Sequence, residues 1–494
     1  MSISLHRRSF LLAGAGAGAL AMASRLGITR AHAANDGPLR VRRNISTMKP
    51  DDPYFADYAE AVKAMHELSQ EEDTRSWRQQ SLIHINHCPH GRPDFAAWHR
   101  QYLVYFERIC GALIGKPEFA LGYWDWTTNS GRLPGAFFAA GPLNVTFWND
   151  PSDAQSDNWG PYEVTTVGTR NLTPTFGLQD DPVRGGAFTA QTISSIQRIP
   201  AFSPYQTALE GTPHNSGHVV TGTPNGHMID GMSPLDPAFW MHHGNVDRLW
   251  AEWQAAGNTT PSQPQVYNDQ FYDTDGKPVA NVTAQSGVDF RSLGYTYDTL
   301  TDMAMREVSS TFQLPEEKNQ SALSGIAAPR LEPDVLSTVS ADETARLNVA
   351  VDIPVAVPEL VSVLFRSRTY RPTFGFGEKR LAVESGRIYA RLVDVEPNAA
   401  ATKLLTNVFV NCPYLSPQTP YSDANYAGSF AFFGMAMPRT FVIDITDPIR
   451  TQAGQGRIST DNIKVQLMPV ASTGAEKDAE EASYKVGKIE IFAI

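Results

Sequence analysis

Ten histidines lie between positions 66 and 243 of this 494-residue chain, and none lies after His243. Imidazole is the usual protein ligand for copper, zinc, iron and nickel, so their grouping points to a metal. They fall in two clusters. His214 and His218 are four apart, which places two rings on one helix face within reach of one ion. A helix opening at Asp236 then brings His242 or His243 as a third ligand, and only one of an adjacent pair is expected to point inward. The first cluster offers His84, His90 and His99, or His87 in place of His84. A lone H-x-x-x-H is more often a surface pair than a metal site; the second trio gives the pattern its weight. Neither trio includes a carboxylate. Zinc hydrolases commonly mix histidine with carboxylate, and paired hydrolytic metals share carboxylate bridges. Six neutral nitrogens around two metals suit Cu(I), which can hold O2 between two coppers.

Such trios must be carried on facing helices. The spacing of Tyr58, Val62 and Met65 predicts a helix over Pro53–Leu68, and a second is expected from Arg75 to His84. A third begins at Asp94 as N-cap and runs to Leu113, with a broad apolar face including Phe95, Trp98, Tyr102 and Phe106. Pro213–Val220 reads as a short helix, and Asp236 with Pro237 opens one reaching Trp253. Pro142–Gln197 reads as loop. From about Pro315 to Pro358 the chain turns polar and reads as linker. Beyond it, segments starting at Arg387, Asn407, Arg439, Ile463 and Val486 alternate apolar with polar residues, as in a small antiparallel β-sandwich. The expected organisation is an export signal over 1–34, a helical catalytic domain over 35–320, a linker over 321–350 and the sandwich over 351–494.

The signal is read from Arg7-Arg8-Ser9-Phe10-Leu11-Leu12, a weakly apolar run, and Ala31-His32-Ala33 as cleavage site. The run is too short and glycine-rich to span a bilayer well. These features predict twin-arginine export to the periplasm or beyond, with no membrane attachment after processing. A net charge of −11 argues against nucleic acid as partner. Three cysteines, Cys88, Cys110 and Cys412, are too few for a disulfide framework.

The run His90-Gly-Arg-Pro-Asp-Phe95-Ala-Ala-Trp98-His99-Arg100 resembles the first copper motif of bacterial tyrosinases and polyphenol oxidases, the type-3 dicopper proteins. Asp236-Pro237-Ala-Phe239-Trp240-Met-His242-His243-Gly-Asn-Val-Asp247 resembles the second. Ala96-Ala97 departs from the larger residues usual in the family. The resemblance continues beyond Asn407, where the chain looks like the sandwich domain of polyphenol oxidases, which in some relatives covers the active site.

This resemblance implies a multidomain α + β protein whose four-helix bundle holds two copper ions, with O2 as co-substrate. It implies His84, His90 and His99 as ligands of the first copper, and His214, His218 and His243 as ligands of the second. Cys88 would form a thioether with His90. Phe95 and Phe239 would pack on ligand rings, Asp247 would be a structural partner, and Val219 would line the entrance. Glu210 and Asn215 would hold a water that helps deprotonate a monophenol. Tyr295-Thr-Tyr297 would close the domain against Arg40, Arg42 or Arg43. The implied activity is ortho-hydroxylation of monophenols and oxidation of o-diphenols to o-quinones. Strict catechol oxidase, o-aminophenol oxidase and a haemocyanin-like O2 carrier share the same ligands. A small phenol and a copper chaperone are the partners this implies.

Overall fold

The computed structural model describes residues 39–149, 168–300, 334–357, 360, 386–434, 436–458 and 462–494. The twin-arginine segment and its cleavage site lie outside these residues, as does the first part of the expected linker.

Capping side chains fix where the helices begin. Asp52 accepts the Tyr54 N–H at the start of α1 (Pro53–Glu67), where Pro53 has no N–H to leave unpaired. Ser76 accepts from Gln79 at the start of α2 (Trp77–His87). In α3 (Phe95–Leu113) the expected cap is absent, because Asp94 makes no capping bond. Its carboxylate instead accepts from Arg92 and from the Tyr267 hydroxyl, each at 3.2 Å. The stretch expected to be loop contains a helix, α4 (Ala190–Gln197), capped by Thr189. At two turns it is too short to show a clear apolar period.

The helix expected from Pro213 in fact starts earlier. α5 (Phe202–Leu209) passes through a π-helical turn, Glu210–His214, into α6 (Asn215–Gly222). Pro213 has no N–H for the helical ladder, and the wider turn accommodates it. α7 (Pro237–Ala255) is capped by Asp236, which accepts from Ala238.

α3 and α7 are tied by buried charge. Asp247 on α7 accepts from Arg100 of α3 at 2.5 Å and from Arg42 at 3.1 Å. The hydroxyls of Tyr295 and Tyr297 donate to it at 2.5 Å. Burial alone would raise the Asp247 pKa, but the arginines and hydroxyls outweigh it and hold the carboxylate ionised. Arg42 lies on β1 (Arg40–Arg42), which pairs parallel with β2 (Tyr295–Tyr297), so it is the arginine that meets the tyrosine motif.

The C-terminal part contains two antiparallel four-stranded sheets. One has the order β3 (Asp334–Arg346), β10 (Ser483–Ala493), β5 (Ile388–Pro397), β8 (Arg439–Asp444). The other runs β4 (Val351–Ala356), β9 (Asn462–Ala471), β6 (Leu404–Val410), β7 (Tyr426–Ala431). Side chains of both sheets, among them Leu392, Ile489, Val408 and Leu467, share one apolar cluster. The linker expectation fails from residue 334 onward, because β3 pairs along β10. β3 is an edge strand that faces solvent, so its sequence stays polar and reads as linker. A helix, α8 (Thr446–Gly454), was not foreseen.

The sheets pack on the helices. Tyr389, Val442 and Phe492 join the helical core, and Val219 of α6 packs with Leu405, Phe409, Ala431 and Met468. Among the described residues no helix is long and apolar enough to cross a membrane.

Candidate metal centre

α2 buries His84 completely and leaves His87 exposed. The His84 ring N–H donates to the Gly231 carbonyl at 2.8 Å, and that of His99 on α3 to Phe95 at 2.8 Å. On α6, His218 donates to Met228 at 2.9 Å, while His214 in the π turn donates to Asn215 Oδ1 at 2.9 Å. Each bond places the proton on Nδ1, as read from the bonding network, and leaves the Nε2 lone pair pointing inward. His90, between α2 and α3, instead has Cys88 Sγ 3.2 Å from its Nδ1.

The two clusters meet in one cavity. His99 and His243 stack with ring centroids 4.4 Å apart, and His90 lies 5.5 Å from His214. Ligating atoms of His84, His99 and His243 all lie within 4.8 Å of one another. His218 Nε2 is 3.2 Å from His214 Nε2 and 3.3 Å from His243 Nε2. The lone pairs of His218 and His214 face each other there and repel unless a cation lies among them. A proton is disfavoured. Burial lowers the His84 pKa to about 4 and that of His214 to about 3. His90, His99, His218, His242 and His243 fall well below the ordinary value, through burial first and neighbouring imidazoles second. The buried Nε2 atoms of His84, His90 and His99 have no hydrogen-bond partner among the described residues. This all-nitrogen donor set fits two soft-to-borderline metal ions, copper above all.

Aromatic rings fix the imidazoles from behind. Phe95 lies 4.7 Å from His99 and 4.8 Å from His214; Phe239 lies 4.2 Å from His243 and 5.0 Å from His84. One expectation fails, since His242 and His243 are both buried and both lie within ligand distance of His214 and His218. The π turn brings α6 close enough for His218 to meet His242 at 4.7 Å, so both rings of the pair find a place inside. His242 also packs 5.0 Å from Trp126.

Glu210 and Asn215 flank His214. Glu210 Oε1 accepts the Gly91 N–H at 2.6 Å. Burial pushes the Glu210 pKa up to about 7 against the opposing pull of Arg439 and that N–H. Asn215 donates through Nδ2 to the carbonyl of Ala431 in β7, at 2.9 Å. A cavity of about 420 Å³ between α5 and β8 reaches both residues. Val219, expected at the entrance, is fully buried beneath the second sheet.

The sequence reading missed Phe433. Just beyond β7, its ring stacks on His218 at 3.9 Å and 19° and stands edge-on to His90 at 5.0 Å. It therefore fills the space in front of both trios and is 2% exposed. Gly434, at φ 74, turns the chain away immediately afterwards, a conformation that favours glycine. The available signal was Phe432-Phe433-Gly434 following a strand.

Comparison with known proteins agrees with this geometry. Residues 57–256 match the common central domain of tyrosinase. A tyrosinase of Streptomyces glaucescens is 32% identical over 226 residues, covering 42% of this chain and 80% of the relative. A chloroplastic polyphenol oxidase of Spinacia oleracea is 30% identical over 303 residues, covering 52% of this chain and 47% of the relative. The chain thus spans about half the length of the plant relatives it matches. In fold it is similar to a latent apple tyrosinase, with TM-score 0.58, 22% identity, and coverage of 92% of this chain and 98% of that one. A latent aurone synthase gives TM-score 0.59 at 20% identity, covering 93% and 91%. With two imidazole clusters facing one cavity inside the matched region, the chain belongs to the tyrosinase family of dicopper proteins, for which O2 is the general co-substrate.

Proposed function

We propose that this chain is a tyrosinase, hydroxylating monophenols ortho to the oxygen and oxidising o-diphenols to o-quinones. The observation that carries this reading is the meeting of two imidazole trios, buried except for the half-buried His90, beside Glu210 and Asn215. His84, His90 and His99 would hold one copper, and His214, His218 and His243 the other. α2, α3, the α5–α6 segment and α7 form the four-helix bundle of this proposal, and the two sheets its β-sandwich. Bound there, the coppers supply O2 activation and electron transfer. A monophenol and one O2 then give an o-quinone and one water. The chain's own residues position the phenol, exclude bulk water and move its proton.

Glu210 is the proton acceptor in this scheme, through a water shared with Asn215. A carboxyl with pKa near 7 is half ionised close to neutral pH, and bound copper charge would draw that value down. Monophenol turnover by the copper-loaded protein is therefore expected to fall with decreasing pH, with a midpoint below about 7, where Glu210 takes up its own proton. Asn215→Ala is expected to lower monophenol turnover by about 10-fold or more, with a smaller loss on the matching catechol. Steady-state rates on the two substrates decide this, and equal losses would remove Asn215 from the scheme. Absence of any hydroxylation by the copper-loaded protein would leave a catechol or o-aminophenol oxidase. Reversible O2 binding without turnover would leave a haemocyanin-like carrier.

The Sγ of Cys88, beside His90, supports a thioether to the ring. Its formation removes one hydrogen from sulfur and one from carbon, with O2 as oxidant. Export by the twin-arginine route to the periplasm or beyond is the proposal for the leader. One intact-mass measurement on the exported protein checks both: loss of the leader, and loss of two hydrogens mapped to Cys88–His90. A full-length mass, or a free Cys88 thiol, contradicts the corresponding half.

A further inference from the structure

We propose that Arg439 is a positioning residue for the first imidazole trio, so that the C-terminal sheets organise a metal site as well as cover it. The three residues of that trio are not equally supported. His84 and His99 sit on helices, each with its ring N–H on a backbone carbonyl. His90 sits in the short connection between α2 and α3, and its Nδ1 meets a sulfur instead. No helix sets its backbone, so contacts from outside must.

Among the described residues, two such contacts reach the His90–Gly91 peptide itself. From the helical part, Glu210 accepts the Gly91 N–H at 2.6 Å. From β8, the Arg439 guanidinium donates to the His90 carbonyl at 2.6 Å. The second crosses 349 residues of sequence and is charge-assisted, the stronger kind of hydrogen bond. It is also built in sterically. Gly91 has φ +74, and a Cβ there would overlap the Arg439 guanidinium. Two residues along the same strand, Phe441 packs over Gly211, next to Glu210. Alternate residues of β8 therefore reach the His90 connection and the turn that carries Glu210.

An arginine holding a ligand residue's backbone acts on the metal through ligand geometry. Partners of this outer kind typically account for 10–100-fold in metal affinity. The proposal rests on His90 being a copper ligand.

The test uses full-length, copper-loaded protein titrated with a chromogenic Cu(I) chelator, with copper per chain as the readout. Arg439→Ala is expected to release one of its two coppers at about tenfold lower chelator concentration, with the other unchanged. Arg439→Lys keeps a cationic donor and is expected to fall between. It also serves as the measured variant if the alanine protein does not fold, as judged by its thermal transition. His90→Ala is expected to hold only one copper. Wild-type retention of both coppers by Arg439→Ala would overturn the proposal, and so would equal weakening of both, the mark of general loosening. Retention of both by His90→Ala would remove the ligand assignment itself and this proposal with it.

Discussion

Replacing Phe433 with alanine is expected to raise catechol oxidation by the full-length chain about ten- to a hundred-fold. The ring is 2% exposed and stacks on His218 at 3.9 Å, in the path that a phenol of the proposed reaction would take to the imidazoles. Burying a phenylalanine side chain is worth roughly 1.5–3 kcal/mol, and each 1.4 kcal/mol is a factor of about ten in a two-state equilibrium. Deleting the ring shifts the balance between covered and open forms by that factor and removes the obstruction from forms that remain covered. Copper content should not change, since Phe433 offers no ligand. The check is kcat/KM for a catechol before and after substitution, with Tyr414→Ala as control, an aromatic 61% exposed in the same part of the chain. A Phe433→Ala enzyme that holds both coppers and stays as slow as its parent would show that the ring does not govern access.

The second large effect is expected at His218. Its Nε2 faces both His214 and His243, at 3.2 and 3.3 Å, so it is the shared member of its trio. His218→Ala leaves only His214 and His243 of the proposed trio, with His242 beside them. Losses of outer-shell partners alone cost about 10–100-fold in affinity, so loss of the ligand should cost more. One copper per chain should disappear, and both phenol activities should fall by more than about a hundred-fold, because a single remaining ion cannot share O2 with a partner. His87→Ala, at an exposed imidazole outside the cavity, should retain two coppers and full rates. Copper analysis with paired rate measurements decides, and an active His218→Ala enzyme would remove the residue from the ligand set.

Much of this arrangement can be read before any coordinates. Histidines four apart on a helix, the cap formed by Asp236, and the sudden end of histidine after position 243 all follow from local rules of spacing and hydrogen bonding. What escapes such rules depends on distant parts of the chain. Asp94 looks like a cap but bonds Tyr267, which lies far along the sequence. His242 looks like the outward half of a pair, yet α6 and Trp126 give it a buried place. β3 looks like linker because an edge strand facing solvent needs little apolar sequence. Phe433 looks like one more core residue; only its register beyond β7 brings it to the imidazoles. Local chemistry thus points to the two imidazole clusters, whereas their covering depends on how two separately patterned regions dock.

That docking protects in both directions. β7 is the outer strand of its sheet, paired among the described strands with β6 alone, and the Ala431 carbonyl at its end is occupied by Asn215. Outer strands with open backbone groups invite strand addition from other molecules, and natural proteins shield them. Here the helical body is the shield. Lifting the sheets away without removing them would present a sticky strand edge, tipped by Phe433, to every neighbouring copy. A permanently half-open molecule would therefore tend to self-associate, which favours two clean end states: fully closed, or with the C-terminal part gone.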